Sequence, residues 1–491
     1  MSAAVSVDVA AILARLAAYP RRITADSRRV EPGVAFAAYP GAAADGRAFI
    51  DDALARGTAG VLWDPHDFQW NAQWSAPNVP VPDLRHAVGH VADFLYGSPS
   101  QALWMVGVTG TNGKTSCAHW IAHALERCGR RAAILGTLGN GLVGALAPAS
   151  HTTPDACVLH ELLAQLRHAG AQAVAMEVSS HGLDQGRVSG VAFDVALFTN
   201  LSRDHLDYHG TMAAYGAAKA RLFAWPGLRT IVVNADDEFG RSVIDDARRR
   251  GQHVITYGLS GADISATGIA MGRDGLMLEL ATPRGSGRIQ TQVVGAFNAS
   301  NLLGVLGVLL ASDVPLDCAL QALCEVAPPA GRMQRLGGGD APLVVIDYAH
   351  TPDALEKALT ALRPAVAPGH GLAVVFGCGG DRDKGKRPQM GRVAASLADR
   401  VIVTNDKPRS EEPQAIAQAI VQGIHETGNR RYRVELDRAA AIALALEQAH
   451  PGDVVLIAGK GHEPYQEIAG RRLPFSDLAV ARRALQTARV A

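Results

Sequence analysis

The sequence predicts an α/β protein of three domains, on three observations. The chain has 491 residues, too many for a single hydrophobic core, so two to four domains are expected. From about residue 101, short apolar runs alternate with helical patterns, as in parallel sheets covered by helices on both faces. Two turn-rich joints divide the chain: Gly97-Ser98-Pro99-Ser100 and Ala327-Pro328-Pro329-Ala330-Gly331, the second stiffened by adjacent prolines. The expected parts are a small N-terminal α/β domain over 1–98, a central parallel-sheet domain over 99–329 and a C-terminal Rossmann-like domain over 330–491.

Each element has a local reason. Residues from Met1 to Leu16 are apolar but lack a basic start and a cleavage pattern, so an amphipathic first helix is expected and not a signal peptide. Val34–Ala38 and Gly60–Trp63 read as short strands. Trp104–Thr109 is an apolar strand that runs into Gly110-Thr111-Asn112-Gly113-Lys114-Thr115, and Thr115 to about Cys128 has the composition of a helix stopped by Gly129. Ala132–Gly136, Ala173–Val178, Asp194–Thr199 and Thr230–Asn234 read as buried strands. Asp263–Val294 turns to shorter alternating strands with glycine-rich turns, an antiparallel flank, and Asn298–Ser312 is a helix. In the last region Leu343–Asp347, Leu372–Gly377, Arg400–Thr404 and Val454–Ala458 are strands alternating with helices, and the loops at their carboxyl ends are where open parallel sheets bind ligands.

Composition narrows the function. Hydrophobic residues make up 48% and charged residues 19%, an ordinary globular balance. Lys plus Arg equals Asp plus Glu at 47 each, so no global basic surface argues for nucleic acid, and an anionic ligand must be held by local sites. The six cysteines (117, 128, 157, 318, 324, 378) show no C-x-x-C pair and no zinc spacing, and are expected as reduced thiols in a cytoplasmic protein. No run approaches the roughly 20 apolar residues of a membrane span. No membrane insertion is expected.

The strand, glycine-rich turn and helix around Lys114 form a phosphate cradle, with bare backbone N–H groups and the positive helix end facing an anion. Lys114 would reach the outer phosphates and the Thr115 hydroxyl would sit on magnesium. The common spacing requires glycine where Val108 stands, so Gly107 and Gly110 are expected to supply the turn. In His151-Thr152-Thr153-Pro154-Asp155, Thr153 is placed as N-cap and Pro154 at the first helical position, with an anion-binding role left open. Glu177 ends a buried strand and needs a partner, magnesium or a salt bridge. Thr199–Gly210 packs two His, two Asp and an Arg into twelve residues, and there a neutral His205 could complete a metal shell. Lys219, by pattern alone, is a solvated helix lysine.

These residues closely resemble the Mur ligases of peptidoglycan synthesis, ATP-dependent enzymes that add amino acids to UDP-N-acetylmuramic acid. Gly110–Thr115, Glu177-Val178-Ser179-Ser180-His181, Thr199–His209, Asn298-x-x-Asn301 and Asp347-Tyr348-Ala349-His350 occur in family order, and the resemblance runs from Asp26-Ser27-Arg28 to Gly459-Lys460-Gly461-His462-Glu463. Gly379–Arg387 and Pro408–Pro413 resemble the MurE branch, which adds the third residue of the peptide stem. The resemblance implies a UDP-sugar-binding first domain, a P-loop ATPase-like central domain and an amino-acid-binding third domain.

Roles follow from the same resemblance. Gly110, Thr111, Asn112, Gly113, Lys114 and Thr115 would bind ATP; Thr115, Glu177 and His205 would ligate magnesium. Lys219 would be the lysine that the family carbamylates to hold a second magnesium ion, and Lys114, Lys219 and His205 form the implied catalytic group. Asn298 and Asn301 would face the adenine, with Arg332, Asp347 and His350 closing the nucleotide site. Ser27, Thr152, Thr153, Ser179, Gln185 and Arg187 match positions that hold UDP-MurNAc-L-Ala-D-Glu. Arg382, Asp406, Lys407, Pro408, Arg409, Gly459 and Glu463 match the pocket for meso-diaminopimelate. Two departures stand out: Asp406-Lys407-Pro408-Arg409 replaces the family's Asp-Asn-Pro-Arg, and Gly41-Ala42-Ala43-Ala44 replaces a more polar loop near the uridine. A lysine-adding ligase, a folate-polyglutamate synthetase and, outside the ligases, a P-loop switch or transport ATPase are the alternatives.

Overall fold

The computed structural model describes residues 8–16, 19–41, 44–272 and 275–488. Three sheets organise it. The first is wholly parallel, in the order Arg22–Thr24, Val34–Ala38, Gly60–Trp63, Asn78–Pro80. The expected first helix is seen as Val9–Ala14, and residues 1–7 of that expectation lie outside the described residues.

The central sheet has eleven strands among the described residues. Its parallel middle runs His253–Gly258, Thr230–Asn234, Val195–Phe198, Trp104–Thr109, Ala173–Glu177, Ala132–Gly136. Alternate residues of these strands feed two cores: Val106, Ile134, Ala175 and Leu197 pack on one face, Met105, Leu135, Met176 and Phe198 on the other. Burial on both faces is why these runs are continuously apolar. The expected antiparallel flank is present as Ile264–Gly272, Gly275–Thr282 and Gly285–Thr291. At the opposite edge Gly139–Leu142 and Ala145–Ala147 add an antiparallel pair that the sequence reading did not anticipate.

The third sheet has the order Gln334–Gly337, Leu343–Asp347, Val454–Ala458, Leu372–Phe376, Arg400–Val403, Tyr432–Val434, parallel except for its first strand. A hairpin of Tyr465–Ile468 and Arg471–Pro474 follows, and the last helix is Asp477–Ala488. Arg438 fastens this region. Its Nε and Nη2 each donate to Asp477 at 2.7 Å with both side chains at 0% exposure, and its guanidinium also donates to the carbonyls of Asn405 (3.3 Å) and Ala458 (3.0 Å). Removing one partner strands a buried charge, so Arg438→Met is expected to cost about 3–5 kcal/mol in urea unfolding, and a loss below about 1 kcal/mol would contradict this.

Three expectations are corrected. Cys128 and Cys318 form a disulfide, with Cα atoms 6.1 Å apart, so not all six cysteines are reduced; Cys117, Cys157, Cys324 and Cys378 are free. The cap of the helix Ala156–His168 is Asp155, whose carboxylate accepts from the N–H groups of Cys157 and Val158, and not Thr153. Gly107 lies inside its strand, where an added Cβ would stand 3.1 Å from the Phe193 ring, so its smallness serves packing and not the turn.

Candidate active site

The phosphate loop leaves the carboxyl end of Trp104–Thr109, flanked in the sheet by Ala173–Glu177 and Val195–Phe198. The turn is made by Gly110 (φ +148°) and Gly113 (φ +88°). A Cβ on Gly110 would fall 1.9 Å from the Thr199 hydroxyl, which itself donates to the Asn112 carbonyl at 2.6 Å, so only glycine fits. Asn112 N–H donates to Asn200 Oδ1 at 3.1 Å, and Thr111 Oγ accepts from Ser202 N–H at 2.9 Å. The loop is thus pinned by the Thr199–Ser202 segment before its helix, Lys114–Arg127, begins.

The loop forms the floor of a cleft of about 210 Å³, walled by Thr137 and Glu177 at strand ends and by Asp204 in the loop after Val195–Phe198, and roofed by Arg332, Tyr348 and His350 of the third domain. Lys114 Nζ donates to the carbonyls of Gly110 and Thr111, both at 2.8 Å, and Lys219 Nζ donates to the same Gly110 carbonyl at 2.8 Å. Lys219 is 1% exposed with its ammonium 4.5 Å from the centre of the Tyr215 ring, which overturns the solvated-lysine reading. Burial, and then the proximity of Lys114, holds the Lys219 amine well below the usual lysine range.

Glu177, also 1% exposed, accepts from Thr137 N–H (2.7 Å), Thr137 Oγ (3.2 Å) and Thr115 Oγ (2.9 Å). No Lys, Arg or His among the described residues pairs with it, so the salt-bridge alternative is not seen. A buried carboxylate beside a hydroxyl at a phosphate loop fits a hard cation such as magnesium. No group of three His, Cys, Asp or Glu converges into a ready cage among the described residues, as suits an ion held largely by phosphates and water. His205, in the left-handed region (φ 53°), lines the cleft with its Nε2 3.6 Å from Asp204. Burial, with Lys114 and Lys219 nearby, keeps the His205 imidazole below its usual range and so neutral, the form that can ligate a metal.

The third domain reaches in through Arg332, whose Nη2 donates to Thr115 Oγ at 3.2 Å and whose guanidinium lies 4.6 Å from the Tyr348 ring centre. Asp347 does not line the cleft: its carboxylate accepts from the N–H groups of Met333 and Ala349 at 2.8 Å each, holding the turns that carry Arg332 and His350. Asn301 sits behind the loop, its Oδ1 2.6 Å from where a Gly113 Cβ would be, and donates to Asn298 Oδ1 at 3.1 Å; both are buried.

Beside this cleft, Thr152 Oγ lies 2.9 Å from Thr137 Oγ, and Thr153 donates to the Glu177 carbonyl at 2.9 Å and lies 3.0 Å from Ser179 Oγ. Arg187 donates to the Thr153 carbonyl (3.0 Å) and to Gln185 (2.7 Å). Ser27, on the first domain, is buried beside Asp52, whose carboxyl it helps to hold below the usual range. A separate cluster forms at the carboxyl edge of the third sheet: Asp406, Lys407, Arg409, Gly459 and Glu463. Pro408 is there too, its carbonyl against Gly380 and accepting from Glu411 N–H. Arg382 is exposed, its stem near Gly379 beside Arg409. Lys407 is buried and ion-paired with Glu463.

Four residues that were not singled out take part. Thr137 supplies two of the donors on Glu177, and it follows a parallel strand at its carboxyl end, which was a readable signal. Tyr215 hydrogen-bonds Thr111 (3.2 Å) besides covering Lys219, and Tyr348 lines the roof. Asp353, in the first turn of the helix Pro352–Leu362, accepts from Asn112 (3.2 Å) and Ser202 (3.0 Å), clasping the third domain to the phosphate loop; nothing local signals this. A larger hollow of about 440 Å³ lies away from the site at the amino ends of Thr230–Asn234 and His253–Gly258, and contains none of these groups.

Comparison with known proteins agrees with this geometry. The sequence matches the Mur ligase family catalytic domain over residues 21–96, the Mur ligase middle domain over 108–309 and the Mur ligase glutamate ligase domain over 331–461. A protein of Chromobacterium violaceum named UDP-N-acetylmuramoyl-L-alanyl-D-glutamate--2,6-diaminopimelate ligase is 52% identical over 476 residues, covering 97% of this chain and 96% of that one. One of the same name from Ectopseudomonas mendocina is 53% identical, covering 95% of each. A solved structure of a ligase with this name superposes with TM-score 0.70 at 38% identity, covering 96% of this chain and 95% of that one. Folylpolyglutamate synthase of Mycobacterium tuberculosis shares the fold at TM-score 0.64 and 20% identity, over 76% of this chain and 92% of its own. With three family domains in order and half-identity to relatives along nearly the whole chain, the protein belongs to the Mur ligase family.

Proposed function

We propose that the chain is the ligase that adds meso-diaminopimelate to UDP-MurNAc-L-Ala-D-Glu. The observation that carries the chemistry is the convergence of Lys114 and Lys219 on one carbonyl, Gly110, in a cleft between the central and third domains. The choice of substrates rests on the relatives of that name, about half identical over nearly all of the chain.

ATP donates its γ-phosphoryl group to the D-glutamyl γ-carboxylate, giving an acyl phosphate. The amine of diaminopimelate attacks that carbonyl, loses a proton and expels phosphate as the amide forms. Two anions must meet in the first step, so positioned positive charge dominates catalysis. Lys114 swings from its loop carbonyls to the phosphates, and Arg332 approaches from the third domain beside Thr115. Thr115, Glu177 and His205 would hold magnesium, which when bound supplies charge neutralisation between phosphate and carboxylate. Lys219, whose burial favours the neutral amine, is the group that takes up CO2, releasing a proton and leaving an anionic carbamate suited to a second hard cation. Thr152, Thr153, Ser179, Gln185 and Arg187 border the cleft on the side of the first domain and Ser27, where the UDP-sugar peptide lies; residues 1–98 bind its uridine end, 99–329 the ATP and 330–491 the amino acid. ATP and a nucleotide sugar are cytoplasmic reagents and the protein is assigned there, the Cys128–Cys318 crosslink being unusual for that compartment.

Arg409 sits in the left-handed region (φ 53°) and donates to the Gly380 carbonyl, presenting a guanidinium suited to the distal carboxylate that lysine lacks. Arg409→Ala is expected to weaken diaminopimelate by about 2 kcal/mol, the low end for a truncated charge pair because the side chain is partly exposed. The reading is tested by incubating the protein with UDP-MurNAc-L-Ala-D-Glu, ATP, magnesium and equal meso-diaminopimelate and L-lysine, and weighing the products. The diaminopimelate adduct should dominate; comparable amounts of both would promote the lysine-adding alternative.

A further inference from the structure

The cluster at the carboxyl edge of the third sheet contains an uneven arrangement of buried charge. Lys407 is 6% exposed, and its ammonium meets the Glu463 carboxylate while lying 4.4 Å from the centre of the Tyr465 ring. Next to it Asp406 is 8% exposed, yet its Oδ1 has no hydrogen-bond partner among the described residues. A buried carboxylate oxygen left unpaired is costly, and such an atom at a ligand-bearing sheet edge marks the place of a donor.

The surroundings are rigid. Lys407 and its neighbours are fixed by Gly380 N–H donating to the Lys407 carbonyl (2.9 Å) and by Gln466 donating to the Asp406 carbonyl (3.0 Å). The buried Arg438–Asp477 pair holds the Asn405 and Ala458 carbonyls on either side. Lys460 is committed to the Tyr465 carbonyl, and Arg409 to the Gly380 carbonyl. Arg409 also lies 4.0 Å from Glu467, whereas Lys407 pairs with Glu463 itself and already rests against the Tyr465 ring, so an ammonium released from Glu463 keeps a favourable contact.

Resting on the reading that this cluster takes an amino acid, we propose that Lys407 is a tethered stand-in for the ammonium of the incoming substrate. In this structure it holds Glu463. On binding, the substrate ammonium enters between Asp406 and Glu463, satisfies Asp406 Oδ1, and displaces Lys407 from Glu463 while its contact with the Tyr465 ring is kept. Lys407 therefore acts as an internal competitor that sets affinity for the amino acid and takes no part in the chemical step. It also preserves the charge of the pocket: an ammonium replaces an ammonium at Glu463, whereas a neutral ligand cannot open the pair.

The test is the steady-state KM for meso-diaminopimelate in wild type, Lys407→Met and Lys407→Arg, with ATP and UDP-MurNAc-L-Ala-D-Glu saturating. If the pair is closed for four-fifths to nine-tenths of the time, Lys407→Met should lower KM about 5- to 10-fold while kcat moves much less, and Lys407→Arg should stay near wild type. In a Glu463→Gln background KM should rise and Lys407→Met should no longer lower it. A raised or unchanged KM in Lys407→Met, or an equal effect in the Glu463→Gln background, would overturn the proposal. Should Lys407→Met fail to fold, the structure of the wild type with meso-diaminopimelate decides: Lys407 moved from Glu463 supports the exchange, and Lys407 still on Glu463 refutes it. Failure of the wild type to use diaminopimelate at all would instead sink the functional reading.

Discussion

Lys219→Ala is expected to lose about 10²–10³-fold in kcat, the scale seen when one preorganised electrostatic group is removed, while the protein stays folded. The side chain contributes little to a hydrophobic core. It is buried under Tyr215 with its nitrogen on the Gly110 carbonyl, so truncation empties a polar niche at the cleft floor. The carbamate itself is directly observable. Wild type equilibrated with ¹³C-bicarbonate should show a carbamate carbon signal that Lys219→Ala lacks, and full activity in the variant would remove Lys219 from the mechanism.

Lys114→Ala is expected to lose a comparable or larger factor in acyl-phosphate formation with little change in affinity for UDP-MurNAc-L-Ala-D-Glu. Geometry separates the two: Lys114 lies on the phosphate loop, whereas Thr153, Gln185 and Arg187 form their own hydrogen-bonded group beside the cleft. ADP release reports the first quantity and calorimetric titration of the UDP-sugar peptide the second. A large loss of peptide affinity would show that the two sites are one.

What the sequence reveals and what it hides divide along the range of the interactions. The strand Trp104–Thr109, its loop and the following helix are legible because strand, turn and cap signals lie within a couple of dozen residues. The buried strands are legible because two-sided burial writes continuous apolar runs. Lys219 is not: its pattern is that of a surface helix, and its burial comes from a carbonyl 109 residues earlier in the chain. Only the family resemblance rescued it. The Lys407 ion pair is hidden for the same reason, since Glu463 is 56 residues away. The Cys128–Cys318 crosslink spans 190 residues, and pairing cannot be read from spacing. Thr153 lost the cap to Asp155 because both are good capping residues two positions apart, and the hydroxyl was already engaged by the Glu177 carbonyl. The Asp353 clasp depends on how two domains meet, which no local pattern encodes.

The most direct test of the ligase chemistry is ADP release measured with each co-substrate left out in turn. The Gly110–Thr115 loop, the two lysines and the group of Thr153, Gln185 and Arg187 lie side by side, so on the proposed reading sustained turnover should require ATP, UDP-MurNAc-L-Ala-D-Glu and meso-diaminopimelate together. ATP turnover at an undiminished rate without the UDP-sugar peptide and the amino acid would contradict a ligase and favour a P-loop switch or transport ATPase.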